Sequence, residues 1–169
     1  MIRQILLATL AASAILTSSA VSAQNIAVVD IQSAILNSAY GQQELERLAA
    51  DPTYSELVAT QRSLQADVDS LDGEARAEAS GWDDARFAQY TRTRQFKDAD
   101  LQLTTQKIQS ERERVMGEII NSMNAAALQA LEEIIVEEDI SLLLRETAVY
   151  DADDSHNLTS LLSEKISQQ

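Results

Sequence analysis

The chain has 169 residues, of which 24% are charged, with a formal net charge of −14 and no cysteine. This excess of carboxylates argues against nucleic acids and anionic membrane surfaces as partners. Without cysteine there can be no disulfide, so packing or association between copies must stabilise the fold.

Residues 1–23 have the pattern of a secretory signal peptide. Arg3 supplies one positive charge, an apolar run follows as far as Leu16, and Val21-Ser22-Ala23 offers small residues for cleavage. The apolar run is too short to cross a bilayer comfortably. We therefore expect cleavage after Ala23 and export of the rest of the chain.

Short apolar segments near both ends of the exported chain predict a small sheet. Ile26 to Ile31 and Ile140 to Arg145 are rich in aliphatic residues, as buried strands are. Ala148-Val149-Tyr150 is a candidate third strand. These segments can pair only if the chain between them brings them together.

Two helices are predicted to cover that sheet. The first runs from about Gln32 to Ala49, and the last runs from about Ser155 to Ser167, with Asp154 or Ser155 as its cap. Residues 24–50 and 137–169 together are expected to form this β-containing body.

Residues 51–136 are predicted to form a long helical hairpin with its tip near residues 80–82. Asp51 can cap the first helix, and Pro52 fits its first position. From Tyr54 onward a narrow seam steps by three and four residues, which is typical of a coiled coil. Ser80-Gly81-Trp82 breaks the pattern, which then continues in a second helix.

Folding the chain about Gly81 places leucines of the first helix against polar or aromatic residues of the second. The predicted neighbours are Leu71 with Tyr90, Leu64 with Lys97, and Leu57 with Thr104. Polar residues occupy seam positions where a tight coiled coil prefers leucine or isoleucine: Gln61, Arg94, Lys97 and Thr104. We therefore expect weak packing between the two helices.

The predicted sheet is too small to protect its own edges. Sheets of two or three strands leave backbone groups free for pairing with another chain. We expect a homo-oligomer joined through the apolar residues of the strands, namely Ile26, Val28, Val29, Ile31, Leu142, Leu143 and Leu144.

The sequence gives little support to an enzyme. His156 is the single histidine, and there is no glycine-rich loop and no spacing typical of metal ligands. Glu132, Glu133, Glu137, Glu138 and Asp139 are acidic residues of the kind that form a solvated face. The sequence predicts no catalytic residue, no metal and no cofactor.

In its order of segments the chain resembles the Skp/OmpH family of periplasmic chaperones. The shared features are a signal peptide, the Ile26-Ala27-Val28-Val29-Asp30 strand, a long helical hairpin, the Ile140-Ser141-Leu142-Leu143-Leu144 strand, Ala148-Val149-Tyr150 and a final amphipathic helix. The resemblance implies an α+β fold, mostly α, in which three copies join through a small β-rich body and project helical tentacles.

The same resemblance implies a function. It suggests an ATP-independent holdase that binds unfolded outer-membrane β-barrel proteins in the periplasm and prevents their aggregation. The acidic charge of this chain argues against binding of lipopolysaccharide, since familiar members of the family are strongly basic.

Candidate contacts for such clients are apolar and aromatic residues of the hairpin: Leu64, Val68, Leu71, Trp82, Phe87 and Tyr90. Trp82 lies at the predicted tip, where it either contacts clients or folds back onto Phe87. The alternative function is a structural adaptor or tether of the cell envelope, in which the hairpin is a coiled-coil spacer and Trp82 docks one folded partner.

Overall fold

The computed structural model describes residues 25–168, so the predicted signal peptide lies outside the described part. The predicted mostly α character with a small sheet is confirmed. In chain order the elements are β1 (Ile26–Val29), α1 (Ile31–Asn37), α2 (Ala39–Ala50), α3 (Pro52–Glu78), α4 (Asp84–Glu137), β2 (Leu142–Arg145) and α5 (Thr159–Ile166).

The two strands pair in parallel, with Ile26 opposite Leu142 and Val29 opposite Arg145. Parallel strands need a long connection between them, and here helices α1 to α4 provide it. On its other side β1 is bonded to the segment before α5, because the Leu158 N–H donates to the Val28 carbonyl at 2.9 Å. Residues near the two ends of the described part are thereby held together.

The predicted third strand, Ala148-Val149-Tyr150, is wrong. Residues Glu146–Ala148 form a 3-10 turn, and Tyr150 is fully exposed. The position beside β1 that such a strand would need is occupied by the Asn157-Leu158 segment, through the Val28 bonding described above.

Strand β1 is shorter than the predicted strand because Asp30 turns the chain into α1. The Asp30 carboxylate accepts hydrogen bonds from the Ser33 N–H at 3.1 Å and the Ser33 hydroxyl at 2.6 Å. Such a side chain caps the N-terminus of a helix. Ile31, predicted to be a strand residue at the oligomer interface, is therefore the first residue of α1.

The single helix predicted from Gln32 to Ala49 is divided at Ser38. The Ser38 hydroxyl donates to the Ile35 carbonyl at 2.6 Å and accepts from the Gly41 N–H at 3.2 Å, so it ends α1 and caps α2. Gly41 makes this close turn possible, since a Cβ there would lie only 2.6 Å from the Leu36 carbonyl oxygen. The sequence prediction missed this break because serine is an ordinary residue on a helix surface.

The last helix begins at Thr159, later than predicted, and neither Asp154 nor Ser155 caps it. Asp153 accepts a hydrogen bond from the Ser155 N–H at 2.9 Å and opens a short 3-10 turn instead. The Asn157 side chain then accepts from the Thr159 N–H at 2.9 Å, which leads the chain into α5.

One apolar core lies where β1, α1, α5 and the C-terminal third of α4 meet. Small residues on α4 let the neighbouring helices approach closely, and branched aliphatic residues fill the space between them. The buried members are Ala27, Val29, Ala34, Ile35, Ile119, Ala127, Ala130, Leu131, Ile134, Leu158, Leu162 and Ile166.

Helix α4 ends next to β2 through a left-handed residue. Asp139 has φ of 50°, and the Ile140 N–H donates to the Ile135 carbonyl at 3.0 Å. Such a residue commonly closes the last turn of a helix. The Asn25 side chain bonds the carbonyls of Glu138 and Asp139 at 3.3 Å each, which sets β2 beside β1. Within residues 25–168 no helix is apolar and long enough to span a membrane.

Candidate functional site

Helix α3 packs antiparallel to the N-terminal half of α4 and extends away from the core. We call residues 52–110 the helix pair, and residues 25–51 with 111–168 the base. As predicted, the Asp51 side chain caps α3 by accepting from the Tyr54 N–H at 2.9 Å, with Pro52 in the first turn. The chain reverses at the 3-10 turn Ala79–Gly81, and Asp83 caps α4.

Polar contacts connect the two helices along most of their length. The Gln61 amide donates to the Thr105 hydroxyl at 2.9 Å, and the Lys97 ammonium group lies 2.7 Å from the Asp67 carboxylate. Buried side chains between the helices are few: Val68 on α3, with Thr104 and Ile108 on α4. Of the polar residues at seam positions, Gln61, Arg94 and Lys97 thus form hydrogen bonds across the pair.

Asp72 is the centre of the largest polar network in the helix pair. Arg94 donates to its carboxylate from Nε at 2.7 Å and from Nη2 at 3.2 Å, and the Tyr90 hydroxyl donates at 3.1 Å. Arg94 also pairs with Asp98 on its own helix. The hydrogen bonds from Arg94 lower the pKa of Asp72, whereas partial removal from water raises the pKa of the Tyr90 hydroxyl.

Tyr90 and Lys97 form hydrogen bonds to residues close in sequence to their predicted neighbours. Leu71 and Leu64 are the predicted neighbours, and the hydrogen bonds run to Asp72 and Asp67, one and three residues further along α3. A leucine offers no acceptor, so the polar side chains of α4 bind carboxylates close to the seam.

At the tip, Trp82 packs against Tyr90 with 5.2 Å between ring centroids and an angle of 53°. The Arg86 guanidinium lies 5.0 Å from the centre of the Trp82 ring and pairs with Glu78 at 2.6 Å. Both contacts are favourable for an indole. Trp82 is half-buried, and the ring that it packs against is Tyr90 rather than Phe87, which was the partner in one of the two predicted alternatives.

The predicted client contacts lie in three different environments. Val68 is buried between the helices with 4% of its surface exposed, and Leu64, Leu71 and Tyr90 are half-buried there. Phe87 projects into solvent with 58% of its surface exposed. In this conformation only Phe87 among them, besides the half-covered Trp82, offers a large apolar surface.

Two exposed apolar residues of the helix pair were missed. Phe96 and Leu103 lie on α4 with 69% and 51% of their surfaces exposed. The seam pattern that predicts the helix pair does not include them, because they lie on the side of α4 away from α3. Their spacing of seven residues, which aligns side chains on one helix face, is the signal that would have found them.

The residues expected to join copies of the chain are partly accessible in the base. Ile26 and Leu142 are exposed, Val28 and Val29 are buried, and Leu143 and Leu144 are half-buried. In the described residues β2 has β1 as its one strand neighbour, so its outer edge has no strand beside it. Next to this sheet is a cleft of about 320 Å³ lined by Asp30, Ile35, Ile120 and Arg145 among others.

The acidic end of α4 is partly neutralised by α5. The Lys165 ammonium group lies 2.7 Å from Glu137 and 3.2 Å from Glu133, and its hydrogen bond to Glu137 raises the pKa of Lys165. Residues 25–168 contain no group of three or more His, Cys, Asp or Glu side chains placed to hold a metal ion. His156 is exposed in a 3-10 turn.

Comparison with known proteins identifies a family by one match. The family model described as "OmpH: Outer membrane protein (OmpH-like)" matches residues 25–166, which covers both the base and the helix pair. Comparison with curated proteins and with solved structures gives no match.

Proposed function

The chain belongs to the OmpH-like family, and from this membership we propose that it is an ATP-independent periplasmic holdase for unfolded outer-membrane proteins. The family is one of periplasmic chaperones rather than enzymes. The signal peptide expected at residues 1–23 agrees with export to that compartment.

One observation of the structure supports the proposal most directly. The helix pair extends from the base, has polar contacts between its helices along most of its length, and leaves Phe96 and Leu103 of α4 exposed. A holdase must bind many apolar segments weakly, since several weak contacts retain a client without preventing its release. Spaced apolar residues on a solvated helix pair meet that requirement.

We further propose that three copies assemble through the base. Ile26 and Leu142 are exposed at one end of the sheet, and the outer edge of β2 offers backbone groups for pairing. Assembly would cover these groups and place three helix pairs around a shared space. Light scattering with mass determination tests this, because a folded monomer at micromolar concentration would contradict it.

The alternative function is an envelope adaptor that recognises one folded partner. Its main support was an uncovered Trp82, and that indole packs instead against Tyr90 and Arg86. Trp82 therefore lends the adaptor less support than a fully exposed indole would.

The test is dilution of a urea-denatured β-barrel outer-membrane protein into buffer with and without the chain from Gln24 onward, with light scattering recorded. Suppressed aggregation at about one assembly per client supports the holdase. Unimpeded aggregation in the presence of a well-folded assembly would refute it and favour the adaptor.

A further inference from the structure

One face of α4 differs from the rest of this acidic molecule. At about 100° per residue, six exposed residues between positions 89 and 107 fall within a sector of about 80° of the helix. We call this face the outer stripe; its members are Gln89, Arg92, Phe96, Ala99, Leu103 and Lys107. Tyr90, Arg94 and Lys97, which bond to α3, lie on the other side of the helix.

The apolar content of the outer stripe is concentrated in two large side chains. Phe96 and Leu103 lie two helical turns apart and are more than half exposed. Single exposed apolar residues are ordinary on protein surfaces. Here, however, Ala99 lies three residues after Phe96 and four before Leu103, on the same face. The three side chains therefore form a continuous apolar strip.

The outer stripe also carries positive charge without a carboxylate of its own. The cations of α4 that lie outside the stripe and near α3 are paired with carboxylates: Arg86 with Glu78, Arg94 with Asp72, and Lys97 with Asp67. Arg92 and Lys107, by contrast, form no ion pair with any residue from 25 to 168. No carboxylate falls within the sector, although Asp100 borders it.

We propose that the outer stripe binds extended segments of non-native polypeptide that carry aromatic or aliphatic side chains together with carboxylates. This inference rests on the proposed holdase function and assigns its contact surface. Phe96 and Leu103 would cover the apolar side chains, while Arg92 and Lys107, each four residues outside them, would pair with carboxylates of the client. From Arg92 to Lys107 the stripe is roughly 22 Å long, which matches an extended segment of about seven residues.

The charges argue against two other binding partners for the outer stripe, an anionic membrane and a second copy of the chain. An anionic membrane would meet a molecule with a net charge of −14, and two cations offset little of that repulsion. A second copy of the chain would bring the same two unpaired cations toward each other if the stripes met face to face.

Site-specific crosslinking tests the position of the client. The photoreactive residue p-benzoylphenylalanine is placed at Phe96 in one sample and at Phe87 in another, in the chain from Gln24 onward. Phe87 is a matched control because it is an exposed phenylalanine of the same helix on a different face. With a urea-denatured β-barrel outer-membrane protein we expect roughly threefold more crosslinked client at position 96, because the stripe carries the apolar strip. Equal yields at both positions would overturn the proposal.

Substitutions test the energetic contribution of the stripe. Phe96→Ser with Leu103→Ser should weaken client capture at least about tenfold, because burial of two large apolar side chains strengthens binding by more than that factor. Phe87→Ser should change client capture less than about twofold. Assembly mass and helix content should match the unsubstituted chain in both variants. Arg92→Glu with Lys107→Glu should weaken capture of acidic segments more than that of neutral ones.

Several results would contradict this assignment. If the unsubstituted chain suppresses aggregation and the Phe96/Leu103 variant does so equally well, the stripe is not the contact surface, although the holdase stands. A changed assembly mass in that variant would identify the stripe as an interface between copies. Stripe-dependent binding to phosphatidylglycerol vesicles, without client crosslinks, would identify a membrane contact instead. Failure of the unsubstituted chain to suppress aggregation overturns both proposals.

Discussion

The base and the helix pair are parts of one chain that are stabilised in different ways. In the base, twelve buried residues form one apolar core, and α4 contributes Ile119, Ala127, Ala130, Leu131 and Ile134 to it. In the helix pair, α3 contributes a single buried residue, Val68. Helix α4 belongs to both regions, so the same helix packs against an apolar core at one end and, at the other, faces α3 across few buried side chains and several ion pairs.

The distribution of charge differs in the same way. Residues 52–110 contain ten carboxylates and seven basic side chains, and several of these cations bond across the pair. The base contains seventeen carboxylates and only five basic side chains. Charges in the helix pair are therefore largely balanced and connect the two helices, whereas those of the base repel one another.

This difference indicates which region can move. Regions with few buried apolar contacts and solvent-exposed backbone hydrogen bonds open at lower free energy than packed cores. On the proposed function, the base would hold the assembly together, while the helix pair would separate or bend around clients of different shape. Substitutions, changes of salt and hydrogen exchange can test whether the two regions differ in this way.

The largest expected effect comes from deleting a core side chain. Ile134→Ala in the base should lower the free energy of unfolding by about 2–5 kcal/mol, because the side chain is completely buried and its removal leaves a cavity. Ile108→Ala is the matched change on the same helix within the helix pair. It should cost about 1 kcal/mol, since the weakly packed surroundings can relax. Urea unfolding followed by circular dichroism measures both, and equal losses would contradict the comparison.

Two glycines offer a second contrast. Gly41→Ala should destabilise the base by roughly 1–3 kcal/mol, because the added methyl group would press on the backbone carbonyls of Ile35 and Leu36. Gly73 lies within α3 with no atom within 4 Å of an added Cβ. Gly73→Ala should therefore stabilise its helix by about 0.5–1 kcal/mol. Thermal unfolding of both variants checks the two signs, and a neutral Gly41→Ala would show that α1 and α2 need not approach so closely.

Salt should affect the two regions in opposite directions. Raising the ionic strength from about 0.01 M to about 1 M shortens the Debye length from about 30 Å to about 3 Å. The melting temperature of the base and its assembly should rise as repulsion among carboxylates is screened. The helix pair should loosen, because exposed ion pairs such as Lys97 with Asp67 weaken.

Trp82 can report on the helix pair separately, since it is the one tryptophan of the chain and packs against Tyr90. We expect its fluorescence to shift to longer wavelength with salt while the melting temperature of the assembly increases. A melting temperature that is independent of salt would count against the charge repulsion assigned to the base.

The smallest expected effect concerns the cap of α1. The hydrogen bonds from Ser33 lower the pKa of Asp30 below its ordinary value. A carboxyl group whose pKa is lower in the folded state stabilises the fold above its unfolded pKa, and this contribution is lost as the pH falls through the folded pKa. Asp30→Asn retains a capping side chain and removes that titration. The difference in the free energy of unfolding between the two proteins should therefore shrink below about pH 4. A difference that stays constant between about pH 3 and pH 7 would show that ionisation of Asp30 does not stabilise the fold.

Local chemistry allowed part of this fold to be predicted from sequence. Asp51 and Pro52 signal a helix start through their own side chains, and the aliphatic segments at the two ends contain β1 and β2. Other features depend on contacts that no local pattern records. The break at Ser38 needs the close approach of α2 to α1 at Gly41, and Val149 is not in a strand because Leu158 bonds to β1 instead.

For the candidate site, sequence reasoning found the aromatic residues but misjudged their surroundings. The sequence predicts that Trp82 is either exposed or packed on Phe87. Its contact with Tyr90 could not be predicted, because it depends on how the 3-10 turn at Ala79–Gly81 redirects the chain. The seam pattern does not include Phe96 and Leu103, because they lie on the side of α4 away from α3. The proposal that they contact clients also depends on Arg92 and Lys107 beside them. That these two cations lack ion pairs within residues 25–168 can be seen only once the other ion pairs are known.

One experiment can test whether the helix pair binds clients while the base holds the fold together. It is hydrogen exchange measured by mass spectrometry, with and without a urea-denatured outer-membrane β-barrel protein. Without client, we expect fast exchange in residues 84–110 of α4 and slow exchange in residues 126–137 of the same helix. With client, protection should appear in residues 84–110 while the base remains unchanged. Uniform exchange along α4, or client-induced protection confined to the base, would contradict this division of the molecule.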